Sequence, residues 1–154
     1  MDRAEYRGID DAHPPFVGEK MPLTITLQPG QEIVLNGPAA ISNGSPRSIK
    51  LRLQNEVPFL LKKEVLSADE ANTPMRRAYF ALQCMYLDPT NRDEHKVLFT
   101  RFTDELLEVT RIAALRGAIE SAVALSERER FPQGLRALRA ALPLEEALLS
   151  TDLH

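Results

Sequence analysis

The sequence predicts an α+β fold in which a small antiparallel N-terminal β-sheet is followed by a C-terminal array of about four α-helices. Between residues 22 and 66 apolar and polar residues alternate with a period of two, which is typical of half-buried strands. Between residues 67 and 142 the apolar residues recur every three or four positions, which is typical of helices. Because strands and helices are segregated along the chain, the pattern favours α+β over an alternating α/β fold.

The charge of the 154-residue chain is unevenly distributed around a formal net charge of −3. Residues 1–21 hold three basic and five acidic side chains, residues 22–66 hold five and three, and residues 67–154 hold eleven and fourteen. Only the strand segment is therefore net positive. Residues 1–21 lack periodicity and predict a disordered extension; the alternative is upstream sequence included through an early start codon, with Met21 as the natural start of the protein. Residues 143–154 predict a tail that is either a short helix or frayed.

The predicted sheet begins at "LTITL", where apolar residues alternate with threonines. "QPGQ" predicts a turn, and "EIVLNG" predicts a second strand. "ISNGSPRSIKLRLQNEVPFLLKKEVL" predicts a hairpin, in which Asn43 and Gly44 take the positive φ angles of a tight turn. The last strand lies in "VPFLLKKEVL", with Pro58 at an edge or at the start of the strand because proline donates no ladder hydrogen bond. One face of the sheet is then free for a partner.

Capping residues and proline positions predict the helix limits. Thr73 followed by Pro74 is an N-cap with proline at the first helical position, and this helix should end at Asp88 before Pro89. Three further helices are predicted in "RDEHKVLFTRFTDELLEVT", "AALRGAIESAVALSE" and "FPQGLRALRAAL", and Pro143 should end the last one. Candidate core positions of the second helix are Val97, Phe99, Phe102, Leu106 and Val109.

Catalytic and metal-binding patterns are absent from the sequence. His13, His95 and His154 have no metal-ligand spacing, and Cys84 lies in an apolar helical stretch that predicts a buried free thiol. There is no glycine-rich phosphate loop and no nucleophile elbow. We therefore expect no enzyme activity, no cofactor and no metal. No apolar run spans a bilayer and no signal peptide is recognisable, so we expect a cytoplasmic protein.

A small basic face is predicted on the strand "SIKLRLQ", where Lys50 and Arg52 lie opposite the apolar residues. Lysines on exposed strands are ordinary, since they protect sheet edges against aggregation. The alternative is that this face binds nucleic acid. Because the whole chain is acidic, it is not expected to coat DNA, and any nucleic-acid site must be local.

The stretch "ANTPMRRAYFALQCMYLDP" at residues 71–89, together with "LKKEVLSADE" and "MPLTITLQPGQEIVLNG" before it, resembles the FlbT family of bacterial flagellum-biosynthesis repressors. The resemblance spans about Met21 to Leu142 and leaves the residues from Pro143 onward outside. It implies a post-transcriptional regulator that binds the 5′ untranslated region of flagellin mRNA. Such a regulator controls the translation and decay of this mRNA, in concert with the partner protein FlaF.

The order and spacing of "ITLQPGQEIVLNG" and "SIKLRLQNEVPFLLKKEV" are also similar to the CsrA family of RNA-binding regulators, which implies a CsrA-like sheet. This similarity implies that Thr26 is an RNA contact on the first strand. It places Lys62, followed by Lys63, at the position of that family's critical arginine. Lysine lacks the bidentate fork of arginine, and Leu27 and Gln28 replace paired arginines. The similarity thus implies a shared fold more than a shared set of contacts.

The predicted RNA-binding residues are the cations of the strand segment, one threonine, and two arginines at the start of the first helix. They are Thr26, Arg47, Lys50, Arg52, Lys62, Lys63, Arg76 and Arg77. For the two arginines, contact with RNA or a partner and pairing with the nearby Asp69 or Glu70 both remain open. A homodimer would double the basic patch and cover the small core of the sheet. A competing interpretation is a protein-interaction module whose helices bind FlaF or flagellin without contacting RNA.

Overall fold

The computed structural model describes residues 23–36 and 39–152, and in these residues the predicted α+β arrangement is confirmed. The strands are β1 (Leu23–Leu27), β2 (Glu32–Leu35), β3 (Ala39–Ser42), β4 (Ile49–Leu53) and β5 (Phe59–Leu61). The α-helices are α1 (Pro74–Leu87), α2 (Arg92–Val109), α3 (Ala113–Glu127) and α4 (Phe131–Asp152). The chain divides into two compact units, and the boundary along the sequence lies between Val65 and Leu66. The extension predicted for residues 1–21 lies outside the described residues, as do His13 and His154.

The strands of the first unit form two antiparallel sheets that share one core. β1 pairs with β4, and β2 lies between β3 and β5. Both sheets contribute to the buried core, which consists of Ile25, Leu27, Ile33, Phe59 and Leu61. The hairpin predicted for residues 41–66 is therefore wrong, because β4 and β5 belong to different sheets. Periodicity identifies the apolar face of a strand, but it does not identify the strand with which it pairs.

The turns of the first unit differ from the predicted ones in one place. The "QPGQ" turn is confirmed, with Gly30 at a φ of 81°. Positive φ angles at Asn43 and Gly44 are not found. In the described residues such angles belong to Gly30, Asn36 and Glu129. Pro58 directly precedes β5 and its carbonyl accepts the Asn36 N–H at 2.8 Å, which confirms its place at the start of a strand.

The first helix of the second unit follows its sequence signals closely. The Thr73 side chain accepts a hydrogen bond from the Arg76 N–H, Pro74 is in the first turn, and α1 ends at Leu87 just before Asp88. Its buried face is formed by Met75, Ala78, Tyr79, Leu82 and Met85. None of the described helices is both long enough and apolar enough to cross a membrane.

The core positions predicted for α2 are partly wrong. Phe99 and Leu106 are buried, whereas Val97 is 68% exposed and Val109 is 72% exposed. Thr103 completes the buried face, and its hydroxyl donates to the Phe99 carbonyl at 2.9 Å. Val97 is two residues from Phe99 and so projects about 200° away around the helix. The buried face therefore follows the spacing of Phe99, Thr103 and Leu106.

Pro143 does not end the last helix, because α4 continues through it to Asp152. Proline inside a helix removes one backbone hydrogen bond and costs about 3 kcal/mol. The helix beyond the proline is held by Glu145, which is only 7% exposed. Its carboxylate accepts the Thr73 hydroxyl at 2.6 Å and the Met75 N–H at 3.0 Å. This contact ties α4 to the N-terminus of α1.

Candidate nucleic-acid interface

The outward face of the β1–β4 pair carries two of the predicted cations beside two threonines. Thr24 lies opposite Arg52, and Thr26 lies opposite Lys50. Thr24, Lys50 and Arg52 are exposed and Thr26 is half-buried. The intervening residues point the other way, into the core. We call this outward surface, formed by Thr24, Thr26, Lys50 and Arg52, the polar ribbon face.

The two cations of the polar ribbon face have no carboxylate partner in the part of the chain that the structure describes. Among the described residues, neither Lys50 nor Arg52 takes part in a salt bridge. The register places threonines, which carry no charge, directly across from both. Both charges are therefore available to a phosphate group.

Arg47 lies in the loop between β3 and β4, and the buried side chain of Asn43 holds this loop in place. The Asn43 amide Nδ2 donates to the Leu27 carbonyl at 2.9 Å and to the Arg47 carbonyl at 2.8 Å. Its Oδ1 accepts the Ser45 N–H at 2.9 Å and lies 2.8 Å from the Ser45 hydroxyl. Arg47 is thus positioned next to the end of β1.

The sequence pattern predicts Asn43 as a turn residue of positive φ and does not predict its role as a buried bridge. The signal that could have revealed it is "NGS", since an asparagine side chain often accepts the N–H two residues further on. Asn43 is 2% exposed, and such a buried polar side chain needs its hydrogen bonds satisfied.

Lys62 and Lys63 are exposed, but they do not lie on the polar ribbon face. They form a 3-10 turn directly after β5, in the other sheet. The turn is closed by Glu64, whose Oε1 accepts the Leu61 N–H at 3.0 Å. The predicted cations of the first unit therefore occupy three places, namely the ribbon, the Arg47 loop and this turn.

The charge and the aromatic content of the first unit limit the kinds of contact that it can make with a nucleic acid. Its residues 23–65 hold five cations and three carboxylates, a net charge of +2 in a chain whose net charge is −3. Among its described residues Phe59 is the only aromatic side chain, and it is 8% exposed in the core. The surface of residues 23–36 and 39–65 can attract phosphates, but it offers no aromatic ring on which a base could stack.

Arg76 and Arg77 belong to the second unit, at the start of α1. Arg76 donates to the Asn72 side chain at 3.0 Å, and its Nη2 lies 3.6 Å from Glu146 Oε2. The predicted alternative of pairing with Asp69 or Glu70 is therefore wrong for Arg76. Arg77 is exposed and has no salt bridge among the described residues.

A cluster of polar side chains, Asp88, Asn91 and His95, lies at the end of α1. Asp88 accepts hydrogen bonds at 3.0 Å from His95 and 3.1 Å from Asn91, and these contacts lower the pKa of its carboxyl group. Burial raises the pKa of the Cys84 thiol, and Asp88 adds to this effect. Cys84 is free but half-buried, less than predicted. In the described part of the chain no three potential ligands form a metal cluster.

Comparison with known proteins gives a consistent family match. The model of the family described as "Flagellar protein FlbT" matches residues 23–149. This match passes Pro143, so the expected end of the resemblance at Leu142 is wrong.

Several relatives match over most of their length. A "Probable flagellum biosynthesis repressor protein FlbT" of Chelativorans sp. is 34% identical over 126 residues, covering 82% of this chain and 85% of the relative. That of Mesorhizobium japonicum is 31% identical over 127 residues, covering 82% and 84%. The "Flagellum biosynthesis repressor protein FlbT" of Caulobacter vibrioides is 32% identical over 126 residues, covering 82% and 86%. No solved structure matches the chain.

Proposed function

The chain belongs to the FlbT family of flagellar proteins, and from this premise we propose that it is a cytoplasmic regulator of flagellin synthesis that binds the 5′ untranslated region of flagellin mRNA. Its relatives carry the name of flagellum biosynthesis repressors, which supports a regulatory role. By occupying the mRNA leader, the protein controls translation and decay of the message. FlaF is the proposed protein partner, and a homodimer would double the RNA-binding surface.

The observation that carries RNA binding is the polar ribbon face on a segment, residues 23–65, whose net charge is +2. Protection of a sheet edge explains a single lysine well. It does not explain a second cation, Arg52, on the same face, or Arg47 held beside the end of β1 by a buried asparagine. A surface with several uncompensated cations in an acidic chain is suited to a local polyanion site.

The number of cations sets the expected strength and salt dependence of binding. Lys50, Arg52 and Arg47 would contact about three phosphates, and the logarithm of the association constant should fall with a slope of about −0.7 to −0.9 per phosphate against the logarithm of salt. Lys62 and Lys63 would add to this slope if they reach the same RNA. The absence of aromatic rings from the described surface predicts modest affinity.

A charge-reversal pair with a matched control tests this proposal. The full chain is titrated by fluorescence anisotropy with flagellin leader RNA and with scrambled RNA at two salt concentrations. The variant Lys50→Glu/Arg52→Glu is expected to lose about tenfold or more in affinity and to show a shallower salt slope. The control Lys96→Glu/Arg128→Glu makes the same change in net charge on exposed residues of the second unit.

Two results would overturn direct recognition through the ribbon. One is an equal loss of affinity in both variants, which would indicate general charge repulsion. The other is a folded ribbon variant that still binds the leader and still represses a leader reporter in cells.

A second candidate function is protein interaction through α2, where Val97, Leu98 and Val109 are 68%, 40% and 72% exposed. Such exposed apolar side chains are typical of contact surfaces when they adjoin one another. Val97→Lys should then abolish binding to purified FlaF without changing RNA affinity. If FlaF binding is unaltered, this helix is not the contact.

A further inference from the structure

The polar ribbon face extends into a regular ladder of hydroxyl and amide groups beside cations. Beyond the pairs of Thr24 with Arg52 and Thr26 with Lys50, the Ser48 hydroxyl donates to Gln28 Oε1 at 2.8 Å. Three outward residues of β1 and the turn after it therefore lie opposite three outward residues of β4 and the loop before it, in the pairs Thr24–Arg52, Thr26–Lys50 and Gln28–Ser48. With a rise of about 3.4 Å per residue, the ladder is about 14 Å long.

This composition is unsuited to reading single-stranded RNA. Recognition of unpaired bases depends on splayed bases that stack on aromatic rings or guanidinium planes. Among the described residues of the first unit the one aromatic ring, Phe59, is in the core. Arg52 carries the one guanidinium plane on the ladder, which is too few to hold successive bases.

The ladder is instead suited to base-paired RNA. An A-form helix presents a wide, shallow minor groove lined by 2′-hydroxyl groups between two rows of phosphates. Threonine hydroxyls can both donate to and accept from a 2′-hydroxyl group. The cations directly opposite the threonines can reach the phosphates, and a two-stranded ribbon presents both kinds of group on one surface.

We propose that the ligand of the polar ribbon face is a base-paired RNA stem, contacted across its minor groove. Thr24 meets 2′-hydroxyl groups, and Lys50 and Arg52 meet the phosphates. This inference rests on the proposed function and specifies its RNA class. Because the contacts are to the sugar-phosphate backbone, binding depends weakly on sequence and strongly on the presence of the 2′-hydroxyl group.

The test compares four labelled probes with the full chain by fluorescence anisotropy. They are a hairpin from the flagellin leader, the same RNA with one arm of the stem changed to prevent pairing, a DNA hairpin of the same sequence, and a hairpin with the base pairs exchanged. The RNA hairpin should bind about tenfold tighter than the DNA hairpin, as expected from the loss of two hydrogen bonds to 2′-hydroxyl groups. It should also bind about tenfold tighter than the unpaired RNA, whose 2′-hydroxyl groups are not arranged along an A-form minor groove. The exchanged hairpin should bind like the original.

Two substitutions separate the hydroxyl contact from the charge contact. Thr24→Val keeps the shape and strand preference of the side chain but removes its hydroxyl, so affinity for the RNA hairpin should fall about fivefold. Its affinity for the DNA hairpin should not change. Lys50→Gln should weaken both hairpins together and reduce the salt slope by about one phosphate contact. Thr100→Val, on exposed Thr100 of α2, is the matched control and should have no effect.

The outcomes distinguish this inference from the function on which it rests. Tighter binding of the unpaired RNA, or equal binding of RNA and DNA hairpins, would overturn recognition of a stem through 2′-hydroxyl groups and leave RNA regulation standing. No binding of any RNA probe at low salt would overturn the proposed function itself.

Discussion

Replacing Glu145 by alanine tests what holds α4 together beyond its proline. The Glu145 carboxylate is 7% exposed and accepts two hydrogen bonds, one from the Thr73 hydroxyl at 2.6 Å and one from the Met75 N–H at 3.0 Å. The Met75 N–H is one of the backbone donors that have no partner within a helix. The negative charge also lies at the positive end of the dipole of α1.

The expected loss follows from these contacts. A hydrogen bond to a charged group contributes about 1.5–3 kcal/mol, and a charge at a helix end contributes about 0.3–1 kcal/mol. These contributions together come to about 3–7 kcal/mol. Because contacts that share one carboxylate add incompletely, Glu145→Ala should lower the free energy of unfolding by about 3–5 kcal/mol, which is among the larger single-residue effects. Glu145→Gln keeps one acceptor oxygen and should lose about half as much.

The neighbouring residue provides the control. Glu146 has a side chain that is 67% exposed and lies 3.6 Å from Arg76 Nη2. Exposed pairs of this kind contribute about 0–1 kcal/mol, so Glu146→Ala should change stability little. We call the contact of the Glu145 carboxylate with the Thr73 hydroxyl and the Met75 N–H the clasp. Thr73→Val removes one of its two hydrogen bonds. The effect of Thr73→Val should add incompletely to that of Glu145→Ala because the two side chains share one contact.

Urea unfolding followed by helical circular dichroism measures these differences, because the α-helices of residues 39–152 lie in the unit that contains Glu145 and Thr73. A loss in Glu145→Ala within about 0.5 kcal/mol of that in Glu146→Ala would refute the clasp as the reason for the continuation of α4 through Pro143.

Two further predictions concern the other polar clusters. Asn43→Asp keeps the acceptor oxygen toward Ser45 but replaces the donor toward the Leu27 and Arg47 carbonyls, so local opening of residues 23–53 should become easier by about 2–4 kcal/mol. Hydrogen exchange measured by NMR reports this opening, Asn55→Asp on an exposed residue is the control, and unchanged protection at Leu27 and Gly30 would contradict the bridging role of Asn43. The hydrogen bond from His95 is the main reason why the pKa of the Asp88 carboxyl group is lowered in the folded chain. The ionised carboxylate therefore contributes its full stabilisation above the unfolded-state pKa of about 4. This stabilisation is lost as the pH falls from there through the lower pKa of the folded state. Asp88→Asn lacks this dependence and should lose less stability than the original chain between about pH 5 and pH 3, whereas parallel losses in urea unfolding would show that the pair is uncoupled from folding.

Several features of the fold were determined by local sequence. The alternation in "LTITL" and "SIKLRLQ" predicted which residues of β1 and β4 face the core, and Lys50 and Arg52 emerged on the opposite face as expected. Thr73, Pro74 and Asp88 predicted both ends of α1. These features can be predicted from the sequence because helix capping, proline geometry and strand alternation depend on residues that are close together in the chain. The long stretch at residues 71–89 also identified the family that the comparisons show.

Other features could be decided only by contacts between residues distant in the chain. β4 pairs with β1 across more than twenty residues, because this pairing brings two apolar faces into one core. Asn43 became a buried bridge and not a tight-turn residue, because the loop carbonyls at Leu27 and Arg47 needed donors. The sequence by itself determined the strand and helix segments, their apolar faces and the family. Tertiary structure decided strand pairing, the continuation of α4 through Pro143 and the grouping of threonines with cations, because each depends on long-range packing and hydrogen bonds that outweigh local preference.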